Sequence, residues 1–328
     1  MWWVAVLLGL GGQARAELLL TGAGATFPYP LYARWFREFG KLRPEYHFNY
    51  QAIGSGGGVR QMLAGTVDFG ATDVPLTDEE ARTGLHHIPM VLGAIALVYS
   101  GVPDGLRLDA PTLADILLGK IRRWDDARLV ALNPDMKLPA EPLVVVHRSD
   151  GSGSTLVLTD WLSSASPTFA REVGIGKSIR WPTGIGAKGN DAVTAVVSMT
   201  PHTIGYVELS YARQSRLPVA ALRNVSGAWV RPTLAGIAAA ASSVSVPADF
   251  RASLTAAPSP EAYPLSSFTY LIVPRTLTAD KGRALLDFLW WALHDGQELA
   301  PALDYAPLPS LLMPRVEALL RQVSAAGG

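Results

Sequence analysis

From residue 18 onward, short apolar runs alternate with stretches of helical period, the pattern of βαβ units and not of an all-β sandwich. The expected class is α/β. Residues 18–20 read as a strand and residues 31–39 as a helix with Trp35 and Phe39 on one face. Residues 46–53 read as a strand in which Tyr46, Phe48 and Tyr50 alternate with His47, Asn49 and Gln51, as period-two burial requires. A helix is expected at 58–64, a strand at 67–71 and a buried strand at 94–99. After a Pro/Gly/Asp-rich passage at 101–111, a domain-boundary candidate, a second set begins with 112–118, 143–147 and 154–162. Residues 235–261, rich in Ala, Ser and Pro, read as a surface helix with a loop or a partly mobile stretch. A strand at 268–273 and amphipathic helices at 279–294 and 311–323 close the pattern.

The 328 residues are 49% hydrophobic and 17% charged, enough apolar side chain for a sizeable core and far from the composition of a disordered chain. Lys plus Arg and Asp plus Glu are both 28, so no overall field draws the chain to nucleic acid or an anionic membrane. An anion must be captured by a local site. Cysteine is absent, which excludes disulfides, thiolate metal sites and cysteine nucleophiles. The apolar run at 2–12 followed by Ala14-Arg15-Ala16 has the form of a signal peptide cleaved after Ala16, although its start lacks Lys and Arg. Cleavage removes one charged residue, Arg15, leaving 27 positive against 28 negative.

Three places repeat one design in which a strand ends, a turn of Gly and hydroxyl residues follows, and a helix begins: GAGATF at 22–27, GSGGG at 54–58 and DGSGST at 150–155. A helix N-terminus offers unpaired backbone N–H groups and a partial positive charge, and Gly lets a ligand approach them. Each turn alone also fits an ordinary helix cap; three together point to an oxyanion pocket. Arg148 ends an apolar strand two residues before Asp150, and its fork matches two oxygens of a phosphate or carboxylate. Asp150 either orients that fork or caps the following helix. Asp73, in ATDVP, either forms a turn or serves as an acceptor for a guest that keeps a proton. Near neutral pH phosphate keeps one and sulfate does not, so an acidic acceptor selects phosphate.

These segments resemble the periplasmic phosphate-binding protein of the ABC-type phosphate-uptake system. The likeness is carried by TGAGATFPYPLYARW from Thr21, NYQAIGSGGGVRQMLAGTVDFGATDVPLTD from Asn49, LGKIRRWDD from Leu118, HRSDGSGST from His147, and WPTGIGAKGNDAV with IGYVELSYA. The resemblance implies two α/β lobes of the type II binding-protein fold closing on one dehydrated phosphate, with one lobe at 17–100 plus 264–328 and the other at 101–263. It implies phosphate contacts from Thr26, the Phe27 backbone, Ser55, Asp73, Arg148, Ser152, Gly153 and Ser154, with Asp150 holding Arg148. It further implies a monomer in the periplasm, without cofactor or catalysis, that delivers phosphate to an inner-membrane ABC permease. Ser154 and Gly56 stand where relatives often carry Thr and Ser.

Other signals carry less. GIGAKG at 184–189, with Glu208 about twenty residues on, fits a dinucleotide fingerprint, but Trp181-Pro182 precedes it where a strand belongs; such a site is not expected. His86 and His87 lack a third ligand at metal spacing and read as a solvated loop pair. Lys120, Arg122 and Arg123 beside Trp124 read as a solvated face. Two other functions remain open: a secreted phosphate scavenger or sensor, and a hydrolase or phosphoesterase using Ser152 or Ser154 with His147. The second lacks the GxSxG elbow and places its base poorly.

Overall fold

The structure, a computed structural model, describes residues 17–274 and 279–326; the signal-peptide reading of residues 1–16 lies outside them. The strands are β1 (Leu18–Gly24), β2 (Tyr46–Ala52), β3 (Phe69–Thr72), β4 (Leu85–Tyr99), β5 (Arg107–Leu108), β6 (Val144–Arg148), β7 (Ile185–Ala187), β8 (Thr203–Glu208), β9 (Ala221–Arg223), β10 (Trp229–Val230) and β11 (Ser266–Pro274). Eight form one curled sheet in the order β2-β1-β3-β11-β4-β8-β6-β7, and β10-β9-β5 form a small second sheet.

The organising element is β4. Leu85 to Ala94 pair antiparallel with β11, whereas Ile95 to Tyr99 pair antiparallel with β8. Through β11, which pairs antiparallel with β3, β4 joins the parallel set β2-β1-β3 to the parallel set β8-β6-β7. From Ile88 to Tyr99 it is buried throughout, which explains a near-continuous apolar run in place of alternation. The periodicity reading found only its last six residues, because His86 and His87 look like a break. They lie in the strand, not in a solvated loop: His87 is buried, its Nε2 2.8 Å from the Asp249 carbonyl and its ring edge-on to Tyr270.

Helices α1 (Tyr29–Leu42), α2 (Ser55–Leu63), α3 (Asp78–Arg82), α4 (Ala110–Leu117), α5 (Ala127–Leu132), α6 (Gly153–Ala165), α7 (Pro167–Glu172), α8 (Gly189–Met199), α9 (Leu209–Gln214), α10 (Leu234–Ser242), α11 (Ala279–Leu293) and α12 (Met313–Ala326) flank the strands. Leu31, Tyr32, Trp35 and Phe39 form the buried stripe of α1, as the i, i+4 pattern requires. Phe36, Phe48 and Phe288 stack between α1, β2 and α11, at ring separations of 5.0 and 4.8 Å. In β2, Tyr46, Phe48, Tyr50 and Ala52 turn inward and the residues between them are exposed.

Residues 235–261 are more ordered into the fold than their composition suggests. Ile237, Ala240 and Ala241 of α10 are buried, as are Phe250, Leu254 and Ala257 in the extended run that follows. Tyr270 Oη donates to the Phe250 carbonyl at 2.9 Å, and the Arg315 guanidinium lies 4.9 Å from the Phe250 ring centre. Small residues pack here without a helical stripe, so periodicity gives no signal. No helix among the described residues is long and apolar enough to cross a membrane.

Candidate functional site

Ligands of parallel α/β sheets sit at the carboxyl ends of the strands, and all the candidate residues lie there. Thr26 and Phe27 follow β1, Ser55 follows β2, Asp73 follows β3, and Arg148 is the last residue of β6. Thr26, Phe27, Ser55, Asp73, Arg148, Ser152 and Ser154 are all buried. Helix α2 begins at Ser55, three residues before the expected start, because Gly54 takes a φ of +90° that a side-chained residue rarely adopts. Ser55 therefore stands in the first turn of a helix that opens into the site.

The second and third turns meet directly. The Gly56 N–H donates to the Gly151 carbonyl at 2.8 Å, and the Gly153 N–H donates to Ser55 Oγ at 3.2 Å. Ser55 Oγ accepts also from the Asp73 N–H at 3.2 Å and donates to Asp73 Oδ2 at 3.1 Å. A Cβ added at Gly153 would stand 2.7 Å from Ser55 Oγ and from Asp73 Oδ2, so this contact admits only glycine without a shift.

Arg148 and Asp150 form a buried fork. Nε reaches Asp150 Oδ1 at 2.7 Å and Nη2 reaches Oδ2 at 2.5 Å, while the buried Nη1 has no partner. Burial alone would favour neutral Asp150, but the guanidinium outweighs it and holds the carboxyl below its ordinary range. The alternative role for Asp150, capping the next helix, falls to Ser152, whose Oγ accepts the Thr155 N–H at 3.1 Å. Ser154 Oγ, in the first turn of the same helix, is buried without a partner. Each such orphan carries a desolvation penalty, and both belong to the predicted set.

Asp73 completes the site. Burial pushes its carboxyl up to about 7, although Arg148 and the Ser55 and Thr269 hydroxyls pull the other way. Its backbone carbonyl accepts from Ser267 Oγ at 2.9 Å and Thr269 Oγ1 lies 3.4 Å from Oδ1.

Sequence reasoning missed the residues that hold this set. Asn190, the second residue of α8, donates from Nδ2 to Thr26 Oγ1 at 2.8 Å. Gly189 N–H donates to Asp150 Oδ1 at 3.0 Å. Tyr211 Oη donates to the Thr26 carbonyl at 2.7 Å, and Tyr206 Oη accepts the Arg148 N–H at 3.1 Å. The GIGAKG segment that imitates a dinucleotide fingerprint thus ends at the three hydroxyl-rich turns, and its last glycine, Gly189, contacts Asp150. Tyr206 and Tyr211 lie in IGYVELSYA, which carries the resemblance without marking them as supports, and Tyr305, whose Oη lies 2.6 Å from the Phe27 carbonyl, stands in a segment that gives no signal.

The remaining signals resolve simply. Arg123 pairs with Asp125 at 2.9 Å, Lys120 with Asp115 at 3.6 Å, and Arg122 bonds the Gly119 carbonyl, so the basic cluster is largely neutralised. His147 Nδ1 lies 3.1 Å from the Arg148 carbonyl and burial lowers its pKa; no hydrogen bond joins it to Ser152 or Ser154 among the described residues. No group of His, Cys, Asp or Glu among them has the makings of a metal site.

A curled α/β sheet shared through one long strand, with buried donors converging at its carboxyl ends, is the architecture of the two-lobed solute-binding proteins. The family model described as a PBP superfamily domain matches residues 11–294. The phosphate-binding protein PstS of Xylella fastidiosa is 41% identical over 306 residues, covering 91% of this chain and 84% of the relative. That of Haemophilus influenzae is 40% identical over 298 residues, covering 89% of each. The chain belongs to the PstS family of the PBP superfamily. Its fold is shared with a high-affinity periplasmic phosphate-binding protein solved with phosphate bound, at a TM-score of 0.75 and 22% identity, covering 92% of this chain and 93% of that one.

Proposed function

We propose that this protein binds inorganic phosphate between two lobes in the periplasm and delivers it, without chemical change, to an ABC permease. The observation that carries the reading is the pair of orphaned buried donors, Arg148 Nη1 and Ser154 Oγ, beside the buried Asp73 carboxyl. Donors left unpaired in a dry site favour an oxyanion that satisfies them. Arg148, the Thr26, Ser152 and Ser154 hydroxyls and the Phe27 N–H supply donors, and the Ser55 hydroxyl and Gly153 N–H, which otherwise pair with Asp73 and with Ser55, turn to the ligand when it binds. Asp73 accepts the proton that phosphate retains, and sulfate, lacking one, meets an oxygen instead. Asp150 holds the fork of Arg148 in place. The lobes run over 17–100 plus 264–328 and over 101–263, the end of β4 at Ile95–Tyr99 pairing the first with β8 of the second, and the protein acts as a monomer.

The test is calorimetric titration of phosphate into phosphate-stripped protein with sulfate in large excess. One-to-one binding that ignores the sulfate is expected. Absence of heat, together with no thermal stabilisation by phosphate, overturns the reading.

A further inference from the structure

Glu208 ends β8, opposite Ile95 of β4, in the stretch where β4 passes from one strand set to the other. It is fully buried, and its Oε1 has no hydrogen-bond partner. Oε2 accepts the Ser210 N–H at 2.9 Å and lies 2.9 Å from Tyr305 Oη. The same Tyr305 oxygen lies 2.6 Å from the Phe27 carbonyl. A phenol has one proton to give, and a carbonyl can only accept. If that proton goes to Phe27, the contact with Glu208 is a hydrogen bond only when the carboxyl itself carries a proton and donates. If it goes to an ionised Glu208, the Phe27 carbonyl faces a lone pair at 2.6 Å and a buried anion is left with an unsolvated oxygen.

We propose that Glu208 is an un-ionised acid whose proton is donated to Tyr305, which in turn fixes the Phe27 carbonyl, so that Glu208 is the positioning residue of the Thr26–Phe27 turn. The inference rests on the phosphate reading of that turn. Glu208 reaches the turn by two arms. Its carboxyl acts through Tyr305, and its backbone N–H donates at 3.0 Å to Asn190 Oδ1, while the Nδ2 of that Asn190 donates to Thr26 Oγ1. The turn that offers the Phe27 N–H and the Thr26 hydroxyl is therefore held at its side chain and at both carbonyls.

The surrounding charges agree with a neutral acid. Asp191 lies on α8, Tyr211 and Arg213 on α9, Asp304 and Tyr305 on the C-terminal segment, and Asp73 beyond β3. Arg213 pairs with Asp304 at 3.9 Å, and no ion pair joins a cation to Glu208 among the described residues. Burial pushes the Glu208 carboxyl well above its ordinary range, Asp304 and Asp73 add to this, and the contacts with the Ser210 N–H and with Tyr305 oppose it without outweighing it.

The experiment uses two readouts on the full protein. Infrared difference spectra of phosphate-free wild type against Glu208→Gln at neutral pH should contain the carbonyl stretch of a protonated carboxylic acid; a carboxylate band in its place overturns the proposal whether or not phosphate binds. Phosphate affinity is then measured from pH 6 to about 9.5, a range that lies above the ordinary carboxyl titration and takes in that of a strongly raised one. Tyr305→Phe and Glu208→Ala should weaken binding roughly tenfold, the loss for a broken buried hydrogen bond. Glu208→Gln keeps a donor for Tyr305 though it forfeits the Ser210 cap, so it should bind better than Glu208→Ala and lose less affinity than wild type toward alkaline pH. Parallel pH profiles for wild type and Glu208→Gln overturn the positioning role, while failure of every form to bind phosphate overturns the phosphate reading alone.

Discussion

Arg148 and Asp150, two residues apart in sequence, form a buried two-point ion pair at 2.7 and 2.5 Å that leaves one guanidinium nitrogen, Nη1, without a partner. The carboxylate neutralises the arginine from one side while the free edge remains available to a ligand. A buried cation so held is oriented before phosphate arrives, and little rotamer entropy is then lost on binding.

Replacing Arg148 with Ala should weaken phosphate binding by about 2–5 kcal/mol, the range for truncating one member of a buried charge pair. It should also destabilise the phosphate-free protein. The depressed Asp150 carboxyl contributes stability present above its ordinary 3.8 and lost as pH falls through the folded value. Acid unfolding curves of Arg148→Ala should lack that loss, and near-native phosphate affinity in the variant would remove Arg148 from the site.

Asp73 gives the opposite sign. A carboxyl raised to about 7 in the fold from an ordinary 3.8 contributes stability present below 3.8 and lost as pH rises through about 7. Asp73→Asn should abolish this dependence in the phosphate-free protein. The same substitution should let sulfate compete, and in wild type sulfate competition should grow as pH falls below about 7, where the carboxyl can itself donate. Competition titrations at several pH values decide it; a variant that still rejects sulfate at every pH excludes the acceptor role.

Ser152 and Ser154 should separate cleanly. Ser152→Ala removes the cap of α6 and should lower thermal stability by about 0.5–2 kcal/mol. Ser154→Ala removes a hydroxyl that bonds nothing in the protein, so stability should hold or rise while phosphate affinity drops roughly tenfold. Paired melting and calorimetric measurements test both, and equal loss of stability in the two variants contradicts the assignment.

The run at 249–255 ties both sides of the cleft. Arg251 pairs with Asp78 and His87 bonds Asp249, while Asp160 of α6 accepts from Ser253 Oγ and Thr255 Oγ1, each at 2.8 Å. A cavity of about 250 Å³ lies beneath it, lined by Asp73, Leu156 and Leu254 among others. Asp160→Ala should loosen the tie between α6 and this run and raise the phosphate dissociation rate about three- to tenfold by loss of those bonds. Stopped-flow release measures this, and an unchanged rate shows that the strap does not restrain opening.

Most of what was legible in the chain was local. Strand and helix periods, the three hydroxyl-rich turns and the Arg148–Asp150 contact all lie within a few residues, where backbone geometry fixes which groups can meet. Tertiary structure alone decided the rest. Thr26 finds Asn190 across 164 residues, Gly153 finds Ser55 across 98, and Tyr305 finds Phe27 across 278. Such partners depend on strand order and on the register of β4 with both neighbours, which no local period encodes. The protonation of Asp73 and Glu208 is decided there too, because a carboxyl's charge depends on how much water the whole fold removes from it.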